Sequence, residues 1–265
     1  MSFILKRNVS RPIFFLFILF SSTFVIPLLP LQDPLNIALD ERLLPPSSEH
    51  PFGTDELGRD VLSRTVSGFA TTVKVSIFAL LSSLAIGIFL GGLAGYFYKT
   101  WVDGIFNWTV SFIFSLPFLL IMASIMSIMK PGIFKAYLIL TFIMWVNPAR
   151  IVRAEVIRTK NLDYVVATKA FGASEAYTLA YAILPCCIES AFIFSVSYLP
   201  EIIGLEAGLS FLGLGVQPPY PGLGKMIFDG LSYIYSAWWL SFFPAMILFV
   251  LVLVVNGFNF LYKKG

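Results

Sequence analysis

Four stretches of this chain, residues 12–32, 75–98, 104–129 and 230–262, contain no Asp, Glu, Lys or Arg. A helix needs about 20 mostly apolar residues to cross the hydrocarbon layer of a membrane, and each stretch is long enough. In lipid every backbone N–H and C=O must be satisfied within the protein, so runs of this length commit the chain to transmembrane helices. Composition agrees: 58% of the 265 residues are hydrophobic and 12% are charged, against about 25% charged in soluble domains. A soluble core of this size cannot hide so much apolar surface. The expected fold class is all-α, a polytopic membrane protein.

Two weaker stretches decide the topology. Residues 136–149 are free of charge, and their helix should continue past Pro148 to Arg150 and Arg153 at the interface. Residues 190–200 read as a short span flanked by Glu189 and Glu201. Lys and Arg accumulate in cytoplasmic loops. Six spans with both termini inside place Lys6, Arg7, Arg11, Lys99, Arg150, Arg153, Arg158, Lys160, Lys169, Lys263 and Lys264 there, 11 of 18 basic residues. Four spans would move residues 130–229 outside with five of these and leave 6, so six fit better. The basic start has no small-residue cleavage site after its apolar run, which reads as an uncleaved first span. The organisation is then a tail and first span (1–32), an outer loop with an interfacial helix (33–67), and a transmembrane core (68–265). Its largest cytoplasmic loop is 158–186.

That loop, "DYVVATKAFGASEAYTLAYAILP", is polar by the standard of this chain. Asp163 can open a helix, Gly172 allows a left-handed turn, and Ser174 can cap a second helix with Glu175 in its first turn. Leu184-Pro185 should stop that helix before the next span. The exposed side of the first helix is small (Ala167, Thr168, Ala170), which lets another protein approach its backbone. The reading is a docking element, with a plain connector as the alternative.

In the outer loop, "FGTDELGRDVLSR" reads as a short helix opened by Thr54, with Asp55 and Glu56 favourable in its first turn. Arg59 would pair with Asp55 at i, i+4, an exposed contact of a few tenths of a kcal/mol. Residues 206–229 are rich in Gly and Pro, and irregular backbone at membrane depth must be buried in protein or line a cavity. Ser83, Gly87, Gly91 and Gly95 recur every four residues as a smooth stripe, for packing within the chain or, alternatively, against a partner.

Other features exclude functions. Lys and Arg outnumber Asp and Glu by only 18 to 15, no case for nucleic acid. Adjacent Cys186 and Cys187 suggest neither a disulfide framework nor a metal cluster, and packing is their expected role. His50, the single histidine, reads as a loop residue and makes a histidine metal site or catalytic triad untenable. "GLGK" at Gly222–Lys225 lacks the spacing of a phosphate loop. Lys74, Glu189, Glu201, Glu206 and Asp229 lie within or beside spans, where ionisable groups are functional candidates; most sit near span ends, where an interfacial or ion-pair role suffices.

The loop is similar to that of the inner-membrane permeases of ABC importers, whose pattern is Glu-Ala-Ala, three residues, Gly, nine residues, Ile-x-Leu-Pro. Val166-Ala167-Thr168, Gly172, Ala182 and Leu184-Pro185 occupy those positions here, with Glu, the second Ala and Ile replaced. "HPFGTDELGRDVLSR" (50–64) and "EAGLSFLGLGVQPP" (206–219) resemble the hallmarks of the peptide/nickel branch, second-subunit type. The ending "NGFNFLYKKG" departs from the family and lacks its Gly-Asp and Arg-Asp pair. The resemblance implies a type I ABC importer permease fold in the inner membrane, one half of a permease heterodimer. It further implies two cytoplasmic ABC ATPases, an extracytoplasmic solute-binding protein and surrounding lipid as partners. ATP and Mg would be bound by the ATPase subunits and no cofactor by this chain, which is then a transport subunit and not an enzyme. Peptide is the first substrate choice and nickel or a metal chelate the alternative; a secondary transporter is the rival class. On the same resemblance Asp163, Val166, Ala167, Thr168, Gly172, Ala173, Ser174, Leu184 and Pro185 form the ATPase-coupling loop. Gly53, Thr54, Asp55, Gly58, Arg59, Asp60 and Arg64 form an outer motif. Glu206, Ser210, Phe211, Gly213 and Gly215 are candidates for the translocation path.

Overall fold

The computed structural model describes residues 10–25, 31–115, 117, 124 and 132–264. Lys6, Arg7, the end of the first expected span and most of the second half of the 104–129 span lie outside the described residues. In chain order the helices are α1 (Ser10–Val25), α2 (Val61–Tyr96), α3 (Trp101–Ser115), α4 (Ile133–Met144) and α5 (Val146–Thr159). They continue as α6 (Asp163–Ala170), α7 (Glu175–Ser197), α8 (Leu199–Phe211), α9 (Leu223–Leu231) and α10 (Trp239–Lys264). Among the described residues the only strand-like pairing is an isolated bridge from Thr54 to Asp60. By length and apolarity α2, α7 and α10 each suffice to cross a membrane.

Two expected boundaries move. Helix α2 begins at Val61 and not at residue 75, because Asp60 accepts from the Ser63 N–H at 2.7 Å and caps it there. Lys74, just before the charge-free stretch, is carried inside the helix with its ammonium 4.8 Å from the Phe24 ring centroid. The short span 190–200 is replaced by α7, which starts at Glu175 and runs through Pro185 to Ser197. A proline inside a helix removes one i→i−4 bond and crowds the preceding turn. Here that turn, Thr178–Ile183, is wound as a π-helix, a wider winding that accommodates the proline. Leu184-Pro185 is thus a passage between two helical segments and not a stop. The 230–262 stretch holds turn residues before α10 starts at Trp239.

The chain folds as two compact units that interleave along the sequence, residues 1–12, 79–121 and 141–198 in one and 13–78, 122–140 and 199–265 in the other. In the first, the end of α2 packs on α5 through the small-residue stripe. A Cβ at Gly91 would lie 2.2 Å from Ala149 O, and one at Gly95 would lie 2.7 Å from Arg153 O. Only glycine permits that approach, so the stripe serves packing within the chain. Around it Val152, Val156, Val165, Ile183 and Cys187 form one core, and Phe106, Val110, Trp145 and Ala149 another. Cys187 packs as expected, whereas Cys186 is exposed. In the second unit α8, α9 and α10 pack together, with Gly224 against Ala207 O and Gly230 against Ser241. The segment "GLGK" is part of this packing, and its Lys225 pairs with Asp229 at 2.5 Å.

Candidate functional site

The inner loop is built from its turns outward. Gly172 has φ +87°, the left-handed conformation expected of it. Its N–H donates to Lys169 O at 2.9 Å and the Ala173 N–H donates to Thr168 O at 3.3 Å, the paired bonds that close a helix on a glycine. Ser174 Oγ then accepts from the Tyr177 N–H at 3.2 Å and caps α7. Of α6 itself only Val165 is fully buried, and it anchors the helix to the core under α5 and α7. Val166, Ala167 and Ala170 are exposed and Thr168 is half-buried, its hydroxyl donating to Tyr164 O at 2.8 Å.

The tether of the loop was not legible in the sequence. Tyr96, the last residue of α2, hydrogen-bonds through its hydroxyl to the Glu175 carboxylate. Lys169 Nζ stands 3.3 Å from the same carboxylate and 4.9 Å from the Tyr96 ring centroid. Lys160 Nζ donates to Tyr96 O at 2.8 Å. Tyr164 Oη donates to Ala182 O in the π-wound turn at 3.2 Å. Burial is the largest of the influences that push the Tyr164 phenol up to about 12, so it stays a donor at neutral pH. Phe171, beside the turning glycine, is 92% exposed. It stands with Val166 and Ala170 among the exposed residues of the loop, and it is missed by a pattern search that stops at the glycine. Leu184 packs into the core, whereas Pro185 is exposed.

The outer motif is compact and not helical. Gly53 and Gly58 both have φ +73°, and Cβ atoms there would lie 2.6 Å from Leu44 O and 1.7 Å from Ala38 O. Those two turns end the short helix expected from Thr54. Thr54, fully buried, accepts from the Leu44 N–H at 2.8 Å and donates to Glu41 O. Asp55 accepts the N–H groups of Leu57 and Arg59 on one oxygen. Its other oxygen pairs with Arg59 Nε at 2.7 Å and Arg64 Nε at 3.2 Å. The expected Asp55–Arg59 contact therefore exists, but it is buried and shared. Asp55 is 5% exposed, and a buried ion deprived of a partner costs several times what an exposed pair contributes. Asp60 holds Ser63 on one oxygen and His50 Nδ1 at 3.0 Å on the other. His50 is a buried brace between Asp60 and Glu41. Trp239 Nε1 donates to Thr54 O at 3.2 Å, tying the motif to α10.

The 206–219 motif forms a third constellation. Ser210 Oγ donates to Glu206 Oε1 at 2.8 Å and accepts from the Val216 N–H at 3.1 Å. Gly213, φ +77°, ends α8 with the same paired bonds seen at Gly172. A Cβ at Gly215 would lie 2.2 Å from Ser210 Oγ. Glu206 and Ser210 are completely buried, and Phe211 packs edge-on to Phe228 at 5.4 Å. The expected path residues are thus drawn into one packed knot that folds the Gly-rich segment back on α8.

Comparison with known proteins accords with this anatomy. Residues 87–264 match the family described as binding-protein-dependent transport system inner membrane component. The Dipeptide transport system permease protein DppC of Bacillus subtilis is 39% identical over 260 residues, 97% of this chain and 80% of that protein. The Oligopeptide transport system permease protein OppC of the same organism is 35% identical, over 81% of this chain and 69% of its own length. The Glutathione transport system permease protein GsiD of Pectobacterium atrosepticum is 34% identical, over 80% and 70%. A solved structure, that of an amino acid ABC transporter with histidines, superposes with a TM-score of 0.57 at 18% identity, over 77% of this chain and 94% of that one. It shares the all-helical fold. This chain belongs to the family of binding-protein-dependent transport system inner membrane components.

Proposed function

We propose that this chain is a membrane-spanning permease subunit of an ATP-driven importer that carries di- and oligopeptides inward. One observation carries the coupling role: the loop around Gly172 is tied to the end of α2 through Tyr96, Glu175, Lys160 and Lys169, while Val166, Ala170 and Phe171 stand exposed. A partner that grips the exposed face moves the tether, and the tether ends on a membrane-crossing helix. On this reading two cytoplasmic ATPases, which bind ATP and Mg, close on nucleotide and push the loop as a lever. A homologous permease completes the path, and an extracytoplasmic binding protein delivers the solute to the outer face, where the 50–64 motif lies. Both termini are then cytoplasmic. The names of the relatives at 34–39% identity, dipeptide, oligopeptide and glutathione permeases, support peptide over nickel as cargo.

The test is uptake into proteoliposomes holding this chain with its permease partner, ATPases and binding protein. A labelled dipeptide should accumulate only with ATP inside, and nickel should not. Accumulation of nickel alone would overturn the peptide reading. Dipeptide uptake by this chain without ATPases would make it a secondary transporter.

A further inference from the structure

A cavity of about 520 Å³ opens within the unit formed by residues 79–121 and 141–198, walled by α3, α5, α7 and Tyr198. That volume falls in the range of small-molecule sites. Its wall is mixed: Phe106 and Phe194 are apolar, while Asn107, Asn147, Arg150 and Tyr198 present polar groups. Charge is not balanced there. Arg153, also in the wall, is held by Asp103, Nε to Oδ1 at 2.6 Å and Nη2 to Oδ2 at 3.0 Å. Glu155 pairs with Arg158. Among the described residues Arg150 has no acidic partner, and its guanidinium lies 5.7 Å from the Phe114 ring centroid. Asn107 donates its amide N–H groups to Asp103, which leaves its carbonyl oxygen as an acceptor. The cavity therefore offers one uncompensated guanidinium, further donors at Asn147 and Tyr198, an acceptor at Asn107, and aromatic surface.

That set fits a monoanion with an adjacent amide and an apolar body. We propose that this cavity holds the C-terminal carboxylate of the transported peptide, with Arg150 as its ion partner. The planar fork of arginine matches a carboxylate bidentately, Asn147 and Tyr198 complete the donors, and Asn107 accepts from a peptide N–H. The inference rests on the peptide-import reading above. In that orientation α5 (Val146–Thr159) runs toward the cytoplasm and Arg150 lies in its first half, so the cavity holds cargo before it reaches the cytoplasmic loop.

The experiment uses the full complex in proteoliposomes and two probes, alanyl-phenylalanine and its C-terminal amide, with uptake measured for wild type, Arg150→Gln and Arg150→Lys. Preferences of the binding protein are common to all three, so a change in the acid-to-amide ratio reports on this chain. The ratio should fall about tenfold in Arg150→Gln, the scale of a charged hydrogen bond, and Arg150→Lys should recover part of it. Asn147→Ala should lower the ratio about threefold, the margin of a hydrogen bond to a carboxylate over one to a neutral amide, and reads the same site should Arg150→Gln fail to assemble. An unchanged ratio in the assembled variants overturns the site while leaving peptide import standing. An unchanged ratio together with an altered dependence on phosphatidylglycerol would assign Arg150 to a lipid headgroup and likewise overturn it. ATP-driven uptake of neither probe by wild type overturns the peptide reading itself.

Discussion

Gly58 and Gly172 have nearly the same backbone, φ +73° and +87°, in opposite surroundings. A Cβ at Gly172 meets nothing within 4 Å, whereas one at Gly58 meets Ala38 O at 1.7 Å. Gly172→Ala therefore costs only left-handed strain, about 1–2 kcal/mol, and the β-branched Gly172→Val costs more. Gly172→Val is expected to reach the membrane normally and to lose stimulation of ATP hydrolysis by loaded binding protein, with Gly172→Asn retaining much of it. Normal stimulation in the valine variant would remove the loop from the coupling role. Gly58→Ala adds a clash with rigid backbone, and a drop in melting temperature several times that of Gly172→Ala should follow. Burial revises Arg59 in the same way. It is one of two guanidiniums on buried Asp55, so Arg59→Ala should lower stability by about 2 kcal/mol. A melting temperature equal to wild type would return the pair to the exposed class that the i, i+4 spacing suggested.

Between elements, the contact of α3 with α5 adds to its Phe106, Val110 and Ala149 core the pair of Asp103 and Arg153, unassigned from sequence because 50 residues separate them. Asp103 lies just outside the 104–129 span. The Arg153 hydrogen bond, with help from the Lys99 N–H, holds its carboxyl below the usual carboxylate range. A carboxyl whose folded value is depressed stabilises above its unfolded value, about 4, and that contribution fades as pH falls through the folded value. Thermal melts of purified complex from pH 7 to pH 3 should therefore show a loss below about pH 4 that is smaller in Asp103→Asn, already less stable at pH 7. Parallel pH profiles in the two proteins would show that the pair contributes nothing. Helix α7 carries the other lesson at this scale. Ser174 capping and the Gly172 turn were legible because each is a local rule of backbone and side chain. The passage through Pro185 was not, because the π-wound turn before it draws on packing of Ile183 and a hydrogen bond from Tyr164, elsewhere in the chain.

For the molecule as a whole, the topology makes one claim that labelling can break. Cysteine at exposed Ser48 should react with an impermeant reagent from outside, and cysteine at exposed Ala176 only after permeabilisation. Reaction of both from one side would refute the six-span arrangement with cytoplasmic termini. The sequence by itself determined that this chain lives in lipid and is helical, since hydropathy over some twenty residues depends on no distant partner. It also determined that the backbone can turn left-handed at Gly172, between a helix and a capping serine, because a missing Cβ is a property of the residue; the like turn at Gly213 only the structure showed. Tertiary structure alone decided what those residues touch. The stripe of Gly87, Gly91 and Gly95 reads the same whether it meets α5 or another subunit, and only the approach of Ala149 and Arg153 chooses. The 50–64 motif read as an exposed helix because spacing cannot report burial. Its turns at Gly53 and Gly58 close on Leu44 and Ala38, and its aspartates are spent on His50, Ser63 and Arg64, contacts that exist only once the chain has folded back on itself.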